Sequence, residues 1–234
     1  MKAWKGSVYV VGNIGTAYTS IADKTTDNTI IVAEISSFQL ETIEEFCPKV
    51  SAILNITPDH LDRHHTMQSY IEAKETIAKN QNGKDVCVLN YEDAETRSFS
   101  EKTKAVVLFF SSQRKLDRGV YLENDVITYA EEGKRVEICH VDELKLLGVH
   151  NYENVMAAVG MAIAYHVPVE IIRQSVKRFG GVEHRIEYVC EKNGVVYYND
   201  SKGTNPDAAI KAISAMNRPT YLIGGGYDKD ASYE

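Results

Sequence analysis

Three groups of polar residues follow apolar segments of the chain, where they could bind a metal ion or a phosphate. Asn13 lies in a glycine-containing turn, and Glu34 directly follows the apolar run of residues 29–33. Residues 57–63 (TPDHLDR) directly follow the apolar run of residues 51–56. Each group alone is more typical of a helix cap or a polar loop. Open parallel sheets bind ligands at the carboxyl ends of their strands, so the three groups together favour a metal and phosphate crevice.

Residues 66–81 have the periodicity of an amphipathic helix, and Lys74 lies within its apolar stripe. The other members of the stripe are Met67, Tyr70, Ile71, Ile77 and Ala78. The ammonium group of Lys74 either extends along the apolar surface to water or is desolvated, which favours the neutral amine. A neutral amine can react or take up carbon dioxide as a carbamate, whose oxygens suit a hard divalent cation. The sequence leaves both alternatives open.

Two polar segments lie at predicted helix starts in the second half of the chain. Residues 150–154 (HNYEN) open a long helix, with Asn151 as its expected N-cap and Asn154 in a turn that can meet a nucleotide. Residues 199–205 (NDSKGTN) lie between a predicted strand and a predicted helix. They form either an ordinary capping turn or a cation and hydroxyl presented to an anionic ligand, and the two readings are equally supported.

The elements that position these residues alternate between strand-like and helix-like segments, which is the pattern of a parallel α/β sheet. Buried strands are predicted at residues 8–11, 29–33, 51–56, 86–89 and 105–110. Helices are predicted at residues 66–81, 93–102, 151–166, 168–179 and 206–216. A β-hairpin elaboration is predicted within residues 119–141. After a hinge at Gly180-Gly181, we expect a hairpin of residues 186–190 and 195–198 and a strand at residues 220–223.

Composition and charge exclude several classes of function. The hydrophobic fraction of 44% is that of an ordinary globular protein, which excludes a disordered or fibrous chain. A formal net charge of −7 argues against a nucleic-acid partner or an anionic membrane surface. No apolar run is long enough to span a bilayer, and residues 1–6 lack a signal-peptide core, so we expect no membrane insertion and a cytoplasmic location. The 4 cysteines are scattered, without the spacing of a zinc or redox site.

Two nucleotide-binding motifs are absent from the sequence. No segment matches Gly-x-x-x-x-Gly-Lys-Ser/Thr, the loop whose backbone amides cradle phosphates. Residues 12–15 (GNIG) also lack the third glycine of the dinucleotide fingerprint. A nicotinamide-dependent oxidoreductase is therefore not expected.

Taken in order, eight segments resemble the Mur ligase family: GNIG, EISSFQL, NITPDHLDRH, YIEAK, HNYEN, EHR, NDSKGTN and GGGYDK. The SSFQL segment is most similar to the members of that family that add D-glutamate. The resemblance implies an α/β fold, with a P-loop NTPase-like central domain of mostly parallel sheet over residues 1–181. The start of a Rossmann-like C-terminal domain would follow over residues 182–234. It also implies a fragment without the N-terminal domain, the phosphate loop and the end of the C-terminal domain.

The resemblance implies ATP-dependent amide-bond formation in peptidoglycan precursor synthesis. UDP-N-acetylmuramoyl-L-alanine would take the γ-phosphate of ATP on its carboxylate, and the amine of D-glutamate would displace phosphate from the acyl phosphate. ATP and two Mg²⁺ ions are the implied cofactors, because cations offset the repulsion between the carboxylate and ATP. The family suggests a monomer. Because the phosphate loop is missing, we expect the 234 residues alone to be inactive.

The family's site residues carry over to matching positions of these motifs. Glu34 and His60 resemble magnesium ligands, and Lys74 resembles a carbamylated lysine that holds the second magnesium ion. Lys202 resembles the group that stabilises the transferring phosphate, so the implied catalytic residues are Lys74, His60 and Lys202. Three residues resemble ATP contacts: Asn154, Arg185 and Asp200. Four residues resemble contacts to muramoyl-alanine or D-glutamate: Asn13, Ser36, Thr204 and Lys229.

Two other functions fit parts of the sequence. Asp59, His60, Asp62 and His65 crowd carboxylates and imidazoles into one loop, as binuclear metallohydrolases do, although the remaining histidines form no second ligand pair. A non-catalytic remnant that binds a nucleotide or a partner without turnover would keep the ATP contacts and lack the phosphate loop. Nucleotide-independent hydrolysis with tight zinc would favour the first, and ATP binding without ADP release the second.

Overall fold

The structure is a computed structural model that describes residues 1–204 and 206–226. The chain begins with a two-stranded parallel sheet of β1 (Val8–Gly12) and β2 (Ile30–Glu34). A 3₁₀ turn, Tyr18–Lys24, lies between the two strands. Both strands coincide with predicted apolar runs, and their carboxyl ends are adjacent because Gly12 pairs with Glu34.

A six-stranded sheet forms the centre of the molecule. Its parallel part contains β3 (Val50–Ile53), β4 (Val86–Asn90), β5 (Val106–Ser111) and β6 (Gly119–Glu123). Its antiparallel part adds β7 (Val126–Glu131) and β8 (Lys134–His140). Residues 119–141 were expected to form a small hairpin elaboration, but they form three strands that extend the main sheet. Positive φ at Asn124 and Gly133 provides the tight turns between these strands.

Seven helices accompany the strands in the described residues. They are α1 (Ser37–Leu40), α2 (Leu61–His64), α3 (Met67–Glu75), α4 (Ala94–Phe99), α5 (Val149–Ala164), α6 (Val169–Arg178) and α7 (Pro206–Ser214). None of the helices in this part of the chain has both the length and the apolar character that a membrane span requires.

Alternation along β4 divides the apolar core between the two faces of the main sheet. Val88 packs with residues of α5 and α6, including Met156 and Ile172. Cys87 and Leu89 point to the other face, into a second apolar cluster that includes residues of α3 and α4. The parallel strands β3 to β5 are therefore covered on both faces, as their continuous apolar runs predict. Together these layers confirm the predicted α/β class.

The predicted helix boundaries differ from the structure by one to several residues, and three of the differences affect residues of interest. Helix α3 ends at Glu75 and continues only as the short 3₁₀ turn Thr76–Ala78, so the predicted helix of residues 66–81 is too long. Helix α5 begins at Val149 after Gly148, whose φ is 90°. Asn151 is therefore not the N-cap, and its buried side chain donates to the carbonyl oxygen of Leu147 at 2.7 Å. Pro168, expected at the first helical position of α6, is instead its N-cap.

The C-terminal part contains the predicted hairpin, β9 (Glu187–Lys192) and β10 (Val195–Asn199), joined at Asn193 and Gly194. The predicted strand at residues 220–223 is wrong. No strand is assigned there, and Tyr221 and Ile223 are 97% and 96% exposed. An apolar run forms a strand only when a neighbouring strand pairs with it, and the described residues provide no such neighbour.

Candidate functional site

A cleft of about 510 Å³ lies between the main sheet and the C-terminal hairpin. One wall contains the end of β3 and side chains of α3 and α5, and the other contains the loops beside the hairpin and helix α7. The cleft brings together five residues that the sequence singled out: Lys74, Asn154, Arg185, Asp200 and Lys202. They come from distant parts of the sequence, so the fold is required to assemble them.

The first turns of α5 present three side chains to the cleft: His150, Glu153 and Asn154. Their spacing of three and four residues places them on one face of the helix. The hydroxyl of Ser112, after β5, donates to Glu153 at 2.6 Å. Asn154 is exposed, which leaves its amide accessible from the cleft.

Hydrogen bonds tie together the two loops of the opposite wall. The backbone N–H of Lys202 donates to the carbonyl oxygen of His184 at 2.9 Å. The backbone N–H of Ile186 donates to Oδ1 of Asp200, also at 2.9 Å. Gly203 packs closely against this carboxylate, since a Cβ there would lie 2.5 Å from Oδ2 of Asp200. Arg185 lies between His184 and Ile186, the two residues that make these hydrogen bonds. The bonds therefore fix the main chain of Arg185 relative to Lys202.

Lys74 is half-buried on α3 and lines the cleft. Its Nζ lies 5.0 Å from the centroid of the Tyr70 ring, a cation–π distance. No carboxylate pairs with this ammonium group among residues 1–204 and 206–226. The side chain is thus neither fully extended to water nor neutralised by an acid.

Asn13 and Glu34 meet at the carboxyl ends of β1 and β2, as predicted from their positions. The side-chain amide of Asn13 donates to Oε1 of Glu34 at 3.3 Å, and its backbone N–H donates to the Glu34 carbonyl at 2.7 Å. Gly12 permits this approach, because a Cβ there would lie 2.1 Å from that carbonyl oxygen. Its φ of 112° also favours glycine.

Ser36 and His60 lie outside the cleft lining. Ser36 caps α1 in a capping box with Gln39. His60 precedes α2 with a left-handed φ of 53°, and its Nε2 lies 3.5 Å from Oδ2 of Asp59. The ring of His60 meets the edge of Phe38 at a centroid distance of 5.0 Å. Thr204 is exposed on the loop after Lys202, also outside the lining, and Lys229 and Asn205 lie outside the described residues.

Sequence reasoning missed several residues that line the cleft, above all His150, Glu153 and Lys211. The helical spacing of His150 and Glu153 with Asn154 was a visible signal for the first two. Lys211 carried no such signal, because its place in the cleft depends on how α7 packs. Burial, with the nearby charges of Lys211 and Arg185, lowers the pKa of His150 from its ordinary value.

The cleft is locally basic in an acidic chain. Its charged lining contains four cations, Lys74, Arg185, Lys202 and Lys211, and two carboxylates, Glu153 and Asp200. The chain as a whole has a formal net charge of −7. A local excess of positive charge in a concave site favours a ligand with several negative charges.

The donor atoms can be compared with the requirements of magnesium. Among the described residues, no group of three or more His, Cys, Asp or Glu side chains could hold a metal ion. Magnesium needs no such group, because it keeps several waters and binds one or two carboxylates together with phosphate oxygens. Glu34 is exposed and suits that role, whereas His60 offers a nitrogen that a hard cation prefers less. The lack of a group of three or more such side chains among the described residues also gives the binuclear metallohydrolase alternative no support.

The chain is similar to several known proteins. Residues 10–162 match the Mur ligase middle domain. A UDP-N-acetylmuramoylalanine–D-glutamate ligase of Lachnoclostridium phytofermentans is 60% identical over all 234 residues, which cover 52% of that protein. The ligase of the same name from Clostridioides difficile is 48% identical over 230 residues, which cover 51% of it. The chain therefore spans about half the length of the curated relatives it matches.

Two solved structures share the fold at low sequence identity. The MurF ligase of Thermotoga maritima, in complex with ADP, is 19% identical with a TM-score of 0.65, over 89% of this chain and 50% of that one. A pseudomurein peptide ligase type C from Methanothermus fervidus is 15% identical with a TM-score of 0.63, over 92% of this chain and 56% of that one.

Proposed function

Because the chain belongs to the Mur ligase family, we propose that it contributes to ATP-dependent addition of D-glutamate to UDP-N-acetylmuramoyl-L-alanine. The relatives from Lachnoclostridium phytofermentans and Clostridioides difficile are named as ligases of UDP-N-acetylmuramoylalanine and D-glutamate. We also propose that residues 1–181 and 182–234 belong to separate domains, which meet at the cleft. The observation that carries the proposal is the basic cleft, where five family-matched positions from distant segments converge.

The proposal assigns the nucleotide to the part of the cleft beside α5 and the hairpin loops. Asn154 would contact ATP at the start of the helix, where backbone amides and the helix dipole favour anions. Arg185 would contact the phosphates, and Asp200 would lie near the ribose. The hydrogen bonds between the two loops would hold Arg185 in place before the ligand arrives, which reduces the entropy lost on binding.

The reaction needs positive charge where the phosphoryl group moves. A substrate carboxylate and ATP are both anionic, and Lys202 would stabilise the charge on the transferring phosphate. The amine of D-glutamate would then attack the acyl phosphate, and phosphate would leave from the tetrahedral intermediate. We propose that Thr204 and Lys229 contact D-glutamate and that Asn13 and Ser36 contact the muramoyl-alanine part.

We propose that Glu34 and His60 hold one magnesium ion and that a carbamylated Lys74 holds a second. When bound, magnesium would neutralise phosphate charge and polarise the phosphoryl group. The lack of a carboxylate partner for Lys74 among the described residues is compatible with a carbamate at that position. Carbon-dioxide-dependent metal binding that is lost in Lys74→Ala would support this assignment, and its absence in the unaltered chain would contradict it.

The nucleotide part of the proposal can be tested by calorimetry with ATP and Mg²⁺. We expect Lys202→Met to weaken ATP binding about tenfold, which is the effect of losing roughly 1.4 kcal/mol from a charge-assisted contact. Lys192→Met, at the exposed end of the hairpin, is the matched control and should change the affinity by less than about twofold. Equal losses in both variants would mean that the cleft does not bind the phosphates.

A measurement of ADP release distinguishes the proposed ligase function from that of a module that binds a nucleotide without reaction. No segment of the 234 residues matches the phosphate-loop motif, so we expect them alone to bind ATP without releasing ADP. D-glutamate-dependent ADP release by these residues would contradict the predicted inactivity and support the ligase assignment directly. In a longer chain that contains them, failure to release ADP with both substrates present would favour the binding module.

A further inference from the structure

His64 connects α2 to the neighbouring helices α1 and α3 through its side chain. Its side chain, at the end of α2, is 3% exposed. Nε2 lies 3.0 Å from Oγ of Ser37 in α1, and Nδ1 lies 3.4 Å from Oε1 of Glu41. The imidazole stacks on Phe38 at 5.3 Å, and its centroid lies 5.2 Å from that of Tyr70 in α3. A buried imidazole with polar partners on both nitrogens has a fixed orientation.

Two residues of the proposed site are each one aromatic contact away from His64. The ring of His60 rests against Phe38, whose face His64 covers. The ammonium of Lys74 lies over the Tyr70 ring, which His64 also contacts. Aromatic pairs at these distances add to the energy of burial and restrict ring orientation. His60 and Lys74 therefore each contact an aromatic ring that the buried His64 also contacts, although they belong to different elements.

The remaining contacts of the Phe38 ring strengthen this arrangement. The guanidinium carbon of Arg63 lies 4.3 Å from the ring centroid, and Nη2 of Arg63 donates to Oε2 of Glu41 at 3.1 Å. Glu41 thus meets both Arg63 and His64. Since Arg63 and His64 are consecutive residues of α2, one carboxylate after α1 fixes two adjacent side chains of the neighbouring helix.

We propose that His64 is a positioning residue that sets where His60 and Lys74 lie relative to α1. The significance of this role rests on the proposed function, which makes His60 and Lys74 metal-binding groups. The geometric part does not depend on it, because the contacts of His64 exist without a ligand. A residue that only filled space would be replaceable by another ring, whereas a positioning residue also needs its contacts to Ser37 and Glu41.

The test uses His64→Phe, which keeps a ring on Phe38 and removes both polar contacts. One readout is the imidazole signals of His60 in a ¹H–¹³C correlation spectrum of the metal-free chain, assigned by their loss in His60→Gln. The other is the dissociation constant for Mn²⁺ alone, measured by paramagnetic broadening. We expect His64→Phe to shift the His60 signals and to weaken Mn²⁺ binding about tenfold, the scale of outer-shell changes. His64→Gln, whose amide can reach Ser37, should recover part of both effects.

His166→Asn is the control, because His166 is an exposed histidine beyond α5 whose positive φ asparagine tolerates. It should leave both readouts unchanged. Wild-type His60 signals and Mn²⁺ affinity in His64→Phe would overturn the inference. If the unaltered chain binds no Mn²⁺, the metal part of the proposed function fails, and a shift of the His60 signals in His64→Phe still supports the positioning role. If His64→Phe does not fold, His64→Gln decides between the same two outcomes.

Discussion

The two walls of the cleft are built in different ways. The wall on the main sheet rests on buried apolar side chains, and Phe110, Val120 and Tyr121 are all 0% exposed. The wall on the C-terminal side carries large apolar side chains that remain exposed, with Tyr188 at 58% and Val195 at 53%. Its site residues are held mainly by hydrogen bonds between the loops on either side of the hairpin.

Because of this difference, we expect the two walls to contribute unequally to global stability and to ligand binding. Burial of apolar surface is the dominant contribution to folding, so the sheet wall should unfold only with the whole molecule. Exposed hairpin contacts contribute little, so the C-terminal wall should open locally at a smaller free energy. A substitution at a cleft residue of the C-terminal wall, such as Lys202, should therefore alter ligand binding without a large change in global stability, whereas a substitution in the sheet core should alter both.

The largest expected effect is that of Phe110→Ala in β5. Removing a fully buried ring should lower the free energy of unfolding by about 3–5 kcal/mol, because a cavity remains in a packed core. Phe179→Ala is the matched control at a residue that is 50% exposed, and it should cost less than about 1 kcal/mol. Urea unfolding measures both. Similar losses in the two variants would show that burial does not distinguish these parts of the chain.

The sequence predicted the sheet wall better than the C-terminal wall, for a physical reason. Continuous apolar runs identified β3 to β5, because a strand covered on both faces needs apolar residues at every position. Similar runs identified β1 and β2, although Val10 and Val32 of these strands are 49% and 38% exposed. The run at residues 220–223 has a similar composition but forms no strand, since pairing is not a local property. Local patterns also missed Gly148 as the N-cap of α5, whose positive φ only the packed structure reveals.

For the site residues too, local sequence patterns predicted only those positions that do not depend on tertiary packing. Asn13 and Glu34 each follow a predicted strand, which indicated that they would lie close together. Parallel register brings the carboxyl ends of neighbouring strands to the same edge of a sheet. The place of Lys211 in the cleft was not predictable, because it depends on where the fold puts α7 relative to the rest of the cleft. His64 gave no signal either, since a histidine in a polar loop does not reveal its burial.

Acid should destabilise the sheet wall through Asp85, which precedes β4 and is 0% exposed. Burial raises the pKa of Asp85, but hydrogen bonds from Lys49 and the backbone of Asn82 outweigh it, so the pKa lies below the ordinary value of 3.8. The ionised form therefore stabilises the fold above about pH 4, and this contribution is lost as pH falls through the lowered pKa.

Asp85→Asn should lower the free energy of unfolding at pH 7 by less than Phe110→Ala does. The gap in this free energy between Asp85→Asn and the unaltered chain should close below pH 4. Urea unfolding at several pH values measures the gap, with the exposed Asp23→Asn as a control that should leave no gap. A gap for Asp85→Asn that is constant from pH 3 to pH 7 would contradict the assignment of the lowered pKa.

Glycine substitutions should give a smaller contrast between the two regions. Gly12→Ala introduces a Cβ 2.1 Å from the carbonyl oxygen of Glu34 at a positive φ, and should cost about 1–3 kcal/mol. Gly194→Ala, in the hairpin turn, also has a positive φ but meets no atom within 4 Å, and should cost about 1 kcal/mol. Thermal unfolding compares the two, and a larger loss for Gly194→Ala would mean that the hairpin turn is the more constrained position.

The smallest expected effect is that of Val195→Thr at the start of β10. The side chain is 53% exposed and lies beside the hairpin turn, so exchanging one methyl group for a hydroxyl should change stability by less than about 0.5 kcal/mol. Threonine also keeps the β-branch that suits a strand. Val120→Thr, at a fully buried position in β6, shows that the measurement is sensitive, because its hydroxyl should cost roughly 1–3 kcal/mol. A loss above about 1 kcal/mol in Val195→Thr would mean that the hairpin face is covered in solution, and the two walls would then be alike in how they are stabilised.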